Sequence, residues 1–482
     1  MYKKQIITLA LVIFSTIANA SPFDQAFIKF GFHKRLINQD EISIERQEED
    51  VLKIFYLAGY LVPQKLWQDI NHITTIKDKK TAFISIMQAI EKAGGSQSEL
   101  SKFDAAKLRE SFGYITLTDE WMDLLLYIAQ HAFNRNQGQE RNEIKTLNWM
   151  EIYKVEYKDI ARELGLVDRY WPEDTNYDAA WIAGASRAGL LARVKDLEFL
   201  QKNNIKIRDN NIAILAGERE LWAEIDGLNP STKQIETEKI INIDELDIFV
   251  QVGRDRETIE EGKNYMLYLA KRHNIPFNTD TSFTEYKVKE EAPIGRFPGR
   301  VYLKTLTDKK VTETLMAEDL LEQYFISKSK VIVVDTKSEN NTRPTTSSTG
   351  RDAAEAFIKK INSGVYDQQK NFQIIFESNN PYIERQTIAT QREVDVVLKK
   401  HGLDKLGYVI KIEGVGFACK QDVPTIHSEF GALIAEMWKY AHIGQENSQN
   451  LFESLSFQTR DKTNIMVEMP DYNVELIGND GY

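Results

Sequence analysis

Apolar residues recur at helical spacing through the first third of the chain. Glu49 to Leu61 (EDVLKIFYLAGYL), Thr81 to Ile90 and Glu120 to Phe133 (EWMDLLLYIAQHAF) each set them three and four positions apart, one face of a helix. Gly94-Gly95 and Asn134 to Gly138 (NRNQG) interrupt the pattern, as helix breakers do. From about Ile42 to Leu166 the spacing predicts an all-α region. Trp121, Trp149 and Trp171 read as its core or interface anchors rather than as ligand platforms. No internal repeat is visible.

The period changes near Trp171-Pro172. Short runs that are apolar at nearly every position now alternate with helical patterns. The runs are Ala179 to Ala183 (AAWIA), Ile212 to Ala216 (IAILA), Val331 to Val334 (VIVV), Phe372 to Phe376 (FQIIF) and Tyr408 to Ile412 (YVIKI). Helices are predicted over Arg187–Leu200, Glu257–His273, about Gly350–Ile361, Pro381–Lys400 and Ser428–Tyr440. Strands apolar on both faces belong to a sheet covered on both sides. The fold class expected is α/β, a Rossmann-like open, mostly parallel sheet of about five strands preceded by an all-α N-terminal domain. Asp280 to Thr307 is rich in Pro, Gly and charge and reads as an excursion, a lid or a small hairpin. The expected division is residues 1–20 as a signal peptide, 21–170 helical, 171–442 α/β with 280–307 as the excursion, and 443–482 as a C-terminal extension.

The signal peptide rests on Lys3-Lys4, the apolar run Ile6 to Ile17 and the small residues Ala18-Asn19-Ala20. That run is too short to span a bilayer, which takes about 20 residues. Cleavage after Ala20 would direct the chain to the periplasm or outside the cell, with an uncleaved N-terminal anchor as the alternative. No later stretch is apolar enough to cross a membrane. The formal charge is −11, and loss of Lys3 and Lys4 makes it −13. This argues against a nucleic-acid polymer as partner, which needs a basic footprint. Cys419 is the single cysteine, so no internal disulfide can form. It reads as a nucleophile, an intermolecular bridge or simply a small buried hydrophobe.

In an open α/β sheet, ligands gather beyond the carboxyl ends of the strands. That rule selects Gly184-Ala185-Ser186-Arg187, Gly217-Glu218-Arg219-Glu220, the loop RPTTSSTGRDAAEAF from Arg343, Glu377 to Asn380, and Glu413 to Gly416. In the loop, Ser348 or Thr349 can cap a helix and Asp352 and Glu355 suit its positive end. Capping alone needs one hydroxyl, and the loop supplies Thr345 to Thr349 with Arg343 and Arg351 beside them. Gly350 would let a ligand approach the backbone. Without the lysine of GxxxxGK[ST], nucleoside-triphosphatase chemistry lacks support, and GASR is not GxGxxG. Glu218-Arg219-Glu220 ends an apolar strand and offers acid/base or metal-binding carboxylates, or an ordinary surface ion-pair cluster. His427, with Glu429 nearby, is a conceivable general base or a core histidine. HExxH, CxxC and GxSxG are absent, so no metal or hydrolase elbow is indicated.

The order of these features resembles the widespread bacterial domain family of unknown function that includes SanA, ElyC and YdcF. DAAWIAGAS is similar to its first strand and glycine, NIAILAGERE to its second, and Glu257 to Pro276 to its Glu-led helix. The Arg343 loop matches its Ser/Thr…Asn-Ala element, with Thr349 and Asp352-Ala353 in register, and FESNNPYIERQ its Ser…His…Arg-Ala element, with Ser378 in the serine place. Pro381 stands where the family has histidine, Arg385 is shifted by about one position, and Glu218 replaces a second glycine. The resemblance covers about 176–402. It implies a Rossmann-like envelope-associated domain with an anionic or nucleotide-type ligand.

Two roles follow. One is an exported protein that binds an anionic or nucleotide-type small molecule through Ser186, Arg187, Arg219, Arg343, Thr349, Ser378 and Arg385, with Glu218 and Asp352 as acid/base candidates. Whether it is an enzyme, and with what cofactor, is left open. The alternative is a non-catalytic envelope or secreted host-interaction protein that works through residues 21–170.

Overall fold

The computed structural model describes residues 36–37, 40–41, 44–60, 81, 84, 119–133, 144–226, 259–324 without 289 and 294, 331–338, 343–366, 369–418 and 421–442. The expected signal peptide, Cys419 and the C-terminal extension lie outside these residues.

Five parallel strands form the central sheet: β1 (Ala179–Ala183), β2 (Ile212–Gly217), β3 (Val331–Thr336), β4 (Asn371–Asn379) and β5 (Val409–Phe417). Their order is β5-β4-β1-β2-β3. The chain therefore builds outward from β1 on one side, then returns to β1's other side with β4. Period-two alternation between two cores explains why the β1 run is apolar throughout. Ala179, Trp181 and Ala183 of β1 point into one core, and Ala180 and Ile182 into another.

The described helices are α1 (Ile44–Leu57), α2 (Asp119–Ile128), α3 (Asn148–Ile152), α4 (Lys154–Glu163), α5 (Arg187–Lys202), α6 (Ala223–Asp226), α7 (Ile259–Arg272), α8 (Glu313–Tyr324), α9 (Thr346–Asn362), α10 (Ile383–Lys400) and α11 (Val423–Ala441). The core on one side of the sheet joins α5, α7 and α8, and that on the other joins α9 and α10. A third core is wholly helical. Phe55, Leu126, Phe133, Trp149 and Tyr157 pack there on Phe430, Met437 and Trp438 of α11, so the last described helix completes the N-terminal helical layer. Trp149 is the anchor expected of it. Trp171 instead lies half exposed over Arg169 and Phe199.

The connection from β2 to β3 differs most from expectation. Within 280–307 it holds an antiparallel hairpin, Phe283–Glu285 with Val301–Leu303, one of the forms expected there. It also holds α8, which the apolar pattern did not single out. Helix α8 lies against β2, β3 and α5, whereas α7 packs on α6 and the hairpin. Among the described residues, no helix is long and apolar enough to cross a membrane.

Candidate functional site

The strand order reverses between β1 and β4, and ligands of open α/β sheets favour that point. Here it is filled from within. Arg193 of α5 is buried and donates to the carbonyls of Ala183 (2.8 Å) and Gly184 (2.7 Å) and, through two nitrogens, to Asn379 Oδ1. Behind it, Asp196 accepts from Arg169 at 2.8 Å, and Glu377 is fully buried. Burial, reinforced by the Asp196 carboxyl, pushes Glu377 well above the usual carboxylate range. Burial also raises Asp196, against the pull of Arg169. Arg193 and Asn379 thus occupy the reversal point with side chains of the fold itself.

The open space lies one strand further along. β2 and β3 end side by side, with Glu218 N donating to the Thr336 carbonyl at 2.9 Å. The chain then runs antiparallel to residues 311–313, with Leu221 N on the Val311 carbonyl and Glu313 N on the Arg219 carbonyl, both at 2.9 Å. That short ladder delivers the start of α8 to the carboxyl edge of the sheet. Glu313 is pressed against Gly184, where any side chain would collide with its carboxylate and stand 2.6 Å from the Leu215 carbonyl oxygen. Arg219 sits behind, gripping Asp226 with two nitrogens (2.8 and 2.9 Å) and Glu313 with the third (3.2 Å). Burial raises the Glu313 carboxyl, and Arg219 and then Arg343 oppose the rise.

In front of this cluster is a cavity of about 880 Å³. Its strand-side wall is Glu218, Arg219, Glu220, Asp335 and Lys337, and its far wall includes His273, Arg296, Asp308, Lys309, Lys310 and Glu318. Arg343 enters from the loop after β3. Its position has a simple cause. Pro344 packs on Gly217, where a Cβ would stand 2.7 Å from the proline ring, and so seats the loop on the end of β2. The guanidinium then lies 5.5 Å from the Trp222 ring centroid. Arg296, from the loop within the hairpin, reaches back to Glu220 with two bonds of 2.7 Å. Lys337 pairs with Glu218 at 2.8 Å and with Asp335.

Of the residues expected to carry the site, Glu218, Arg219 and Arg343 line this cavity and the others do not. Ser186 begins α5, and Arg187 is buried 3.7 Å over the Tyr265 ring. Ser378 is buried within β4, its hydroxyl donating to Gln386. Arg385 pairs with Glu429 of α11 at 2.7 Å. Thr349 and Asp352 lie inside α9, with Thr349 donating to the Thr346 carbonyl. The hydroxyl-rich loop has a mostly structural explanation. The helix starts at Thr346, Thr345 caps it in a capping box with Ser348, and Ser347 accepts from Arg392 at 2.7 Å. Gly350 lets α9 meet α10, a Cβ there standing 3.2 Å from Thr390 Cα.

His427 belongs to the helical core. Its Nδ1 lies 3.0 Å from the Tyr157 hydroxyl, among Phe133 and Trp149, and burial lowers it to about 3. It is a neutral core histidine, away from the cavity. Among the described residues, no group of three or more His, Cys, Asp or Glu is placed to hold a metal ion.

Sequence reasoning passed over Glu313, Asp226, Arg296, His273, Lys309, Lys310 and Glu318. One signal was available. In KKVTETLMAEDLL a polar threonine and an acidic residue precede an apolar periodic run, which is a helix-start pattern. Comparisons with protein-family profiles, with curated proteins and with solved structures each returned no match.

Proposed function

We propose that the protein is an exported, Rossmann-like bacterial protein that binds an anionic small molecule in the cavity beyond β2 and β3. The strand order β3-β2-β1-β4-β5 supports the Rossmann-like reading, and the residues quoted above support kinship with the SanA/ElyC/YdcF family. Lys3-Lys4 and the apolar run behind them support export to the periplasm or beyond.

The observation that carries the ligand class is Arg343. The Gly217–Pro344 contact holds its backbone beside a cavity that also presents Lys309 and Lys310. A guanidinium and two ammonium groups around one space are a receptor for phosphate or carboxylate. The side chain is exposed, so Arg343→Ala leaves the core intact. Its expected effect is an affinity loss of about tenfold for phosphate-bearing ligands. Ligand-dependent thermal shifts of the two proteins check this, and equal shifts in both would remove Arg343 from the site.

A further inference from the structure

The two walls of the cavity are not alike. On the strand side the charges are cancelled within the protein: Lys337 by Glu218 and Asp335, Glu220 by Arg296 reaching across from the far wall, and Arg219 by Asp226 and Glu313. On the far wall, Arg296 apart, they are not. Among the described residues Lys309 has no ion pair or hydrogen bond, and Lys310 reaches only Thr305 Oγ1 at 3.4 Å. Asp308 and Glu318 likewise have no cation in ion-pair range among the described residues. His273, on the same wall, has a buried Nε2 with no hydrogen-bond partner among them.

A bare oxyanion would serve the lysines and leave both carboxylates unmatched. It would also leave most of the roughly 880 Å³ to water, and that volume is of the size that holds a small organic molecule. Resting on the anion-site reading above, we infer that the occupant is an organic phosphate that also presents hydrogen-bond donors, either hydroxyls or an ammonium group, to Glu318 and Asp308. Lys309, Lys310 and Arg343 together match the double charge of a phosphate monoester better than a single carboxylate. Carboxylates are the acceptors that hold ribose-type hydroxyls and pair with amines.

Calorimetric titration of the full chain with inorganic phosphate, ribose 5-phosphate and O-phosphoethanolamine tests this. One organic phosphate should bind about tenfold or more tighter than inorganic phosphate, and which one decides between hydroxyl and ammonium donors. Glu318 is exposed, so Glu318→Gln keeps the fold. It should weaken the preferred ligand by about tenfold and leave inorganic phosphate unaffected. Equal binding of all three probes, or no effect of Glu318→Gln, overturns the donor requirement while the anion site stands. If no probe binds wild type or the Arg343→Ala protein, both readings fall.

Discussion

Arg219→Met should destabilise the protein by about 3–5 kcal/mol, the range expected when one partner of a buried ion pair is removed. The side chain is 4% exposed and neutralises two carboxylates at once. Asp226 depends on it for two bonds and, among the described residues, otherwise receives only the Trp222 backbone N–H, at 3.2 Å. Methionine fills much of the space but leaves Asp226 buried without its cation and Glu313 with only the Arg343 charge nearby. Protonation relieves part of the cost, so the loss should be larger at pH 8 than at pH 5. Urea denaturation at the two values measures it. Replacing Asp226 by Leu in the same chain should recover part of the stability, because one orphaned charge disappears. A loss under about 1 kcal/mol would mean that the cluster is solvated and not the foundation of the cavity.

The second large effect is in acid. The folded chain holds His427 neutral down to about pH 3, whereas an unfolded chain protonates it near the ordinary value of 6.5. Below pH 6.5 the unfolded state therefore binds a proton that the folded state refuses, and stability falls by about 1.4 kcal/mol per pH unit toward pH 3. Asp50 acts in the opposite sense. Burial raises its carboxyl to about 7, so acidification below that favours the folded state through this group. His427→Gln keeps a polar partner for the Tyr157 hydroxyl and removes the titration. Asp50 is common to both proteins and cancels in their difference. Between pH 7 and pH 4.5 the wild type should lose more melting temperature than the variant. Parallel losses would place His427 in contact with solvent.

The contrast between strands and site explains what could be read from sequence. Strand β1 was legible to the residue, because a run buried on both faces has no polar interruption. β4 and β5 extend past their apolar runs, through Glu377-Ser378-Asn379 and Glu413 to Phe417. Their polar ends are buried by ladder pairing between the two strands, a long-range effect that a local pattern does not carry. The Arg343 loop was found through its unusual composition. Its hydroxyls were misattributed because capping and the contact with Arg392 consume them. The far wall of the cavity comes from residues 273–318, whose charges look like any other surface charges until the fold brings them to one side of the cavity. Plugging of the reversal point by Arg193 was likewise invisible, since it takes Ala183, Gly184 and Asn379 from two strands to hold one guanidinium.

The proposed ligand site lies beyond β2 and β3 and not where the strand order reverses. A crystal structure of the protein grown with ribose 5-phosphate or O-phosphoethanolamine tests it most directly. The phosphate is expected against Arg343, Lys309 and Lys310, with the Gly217–Pro344 contact unchanged. Density for the ligand at the ends of β1 and β4, against Ser186, Arg193 and Ser378, would contradict the account.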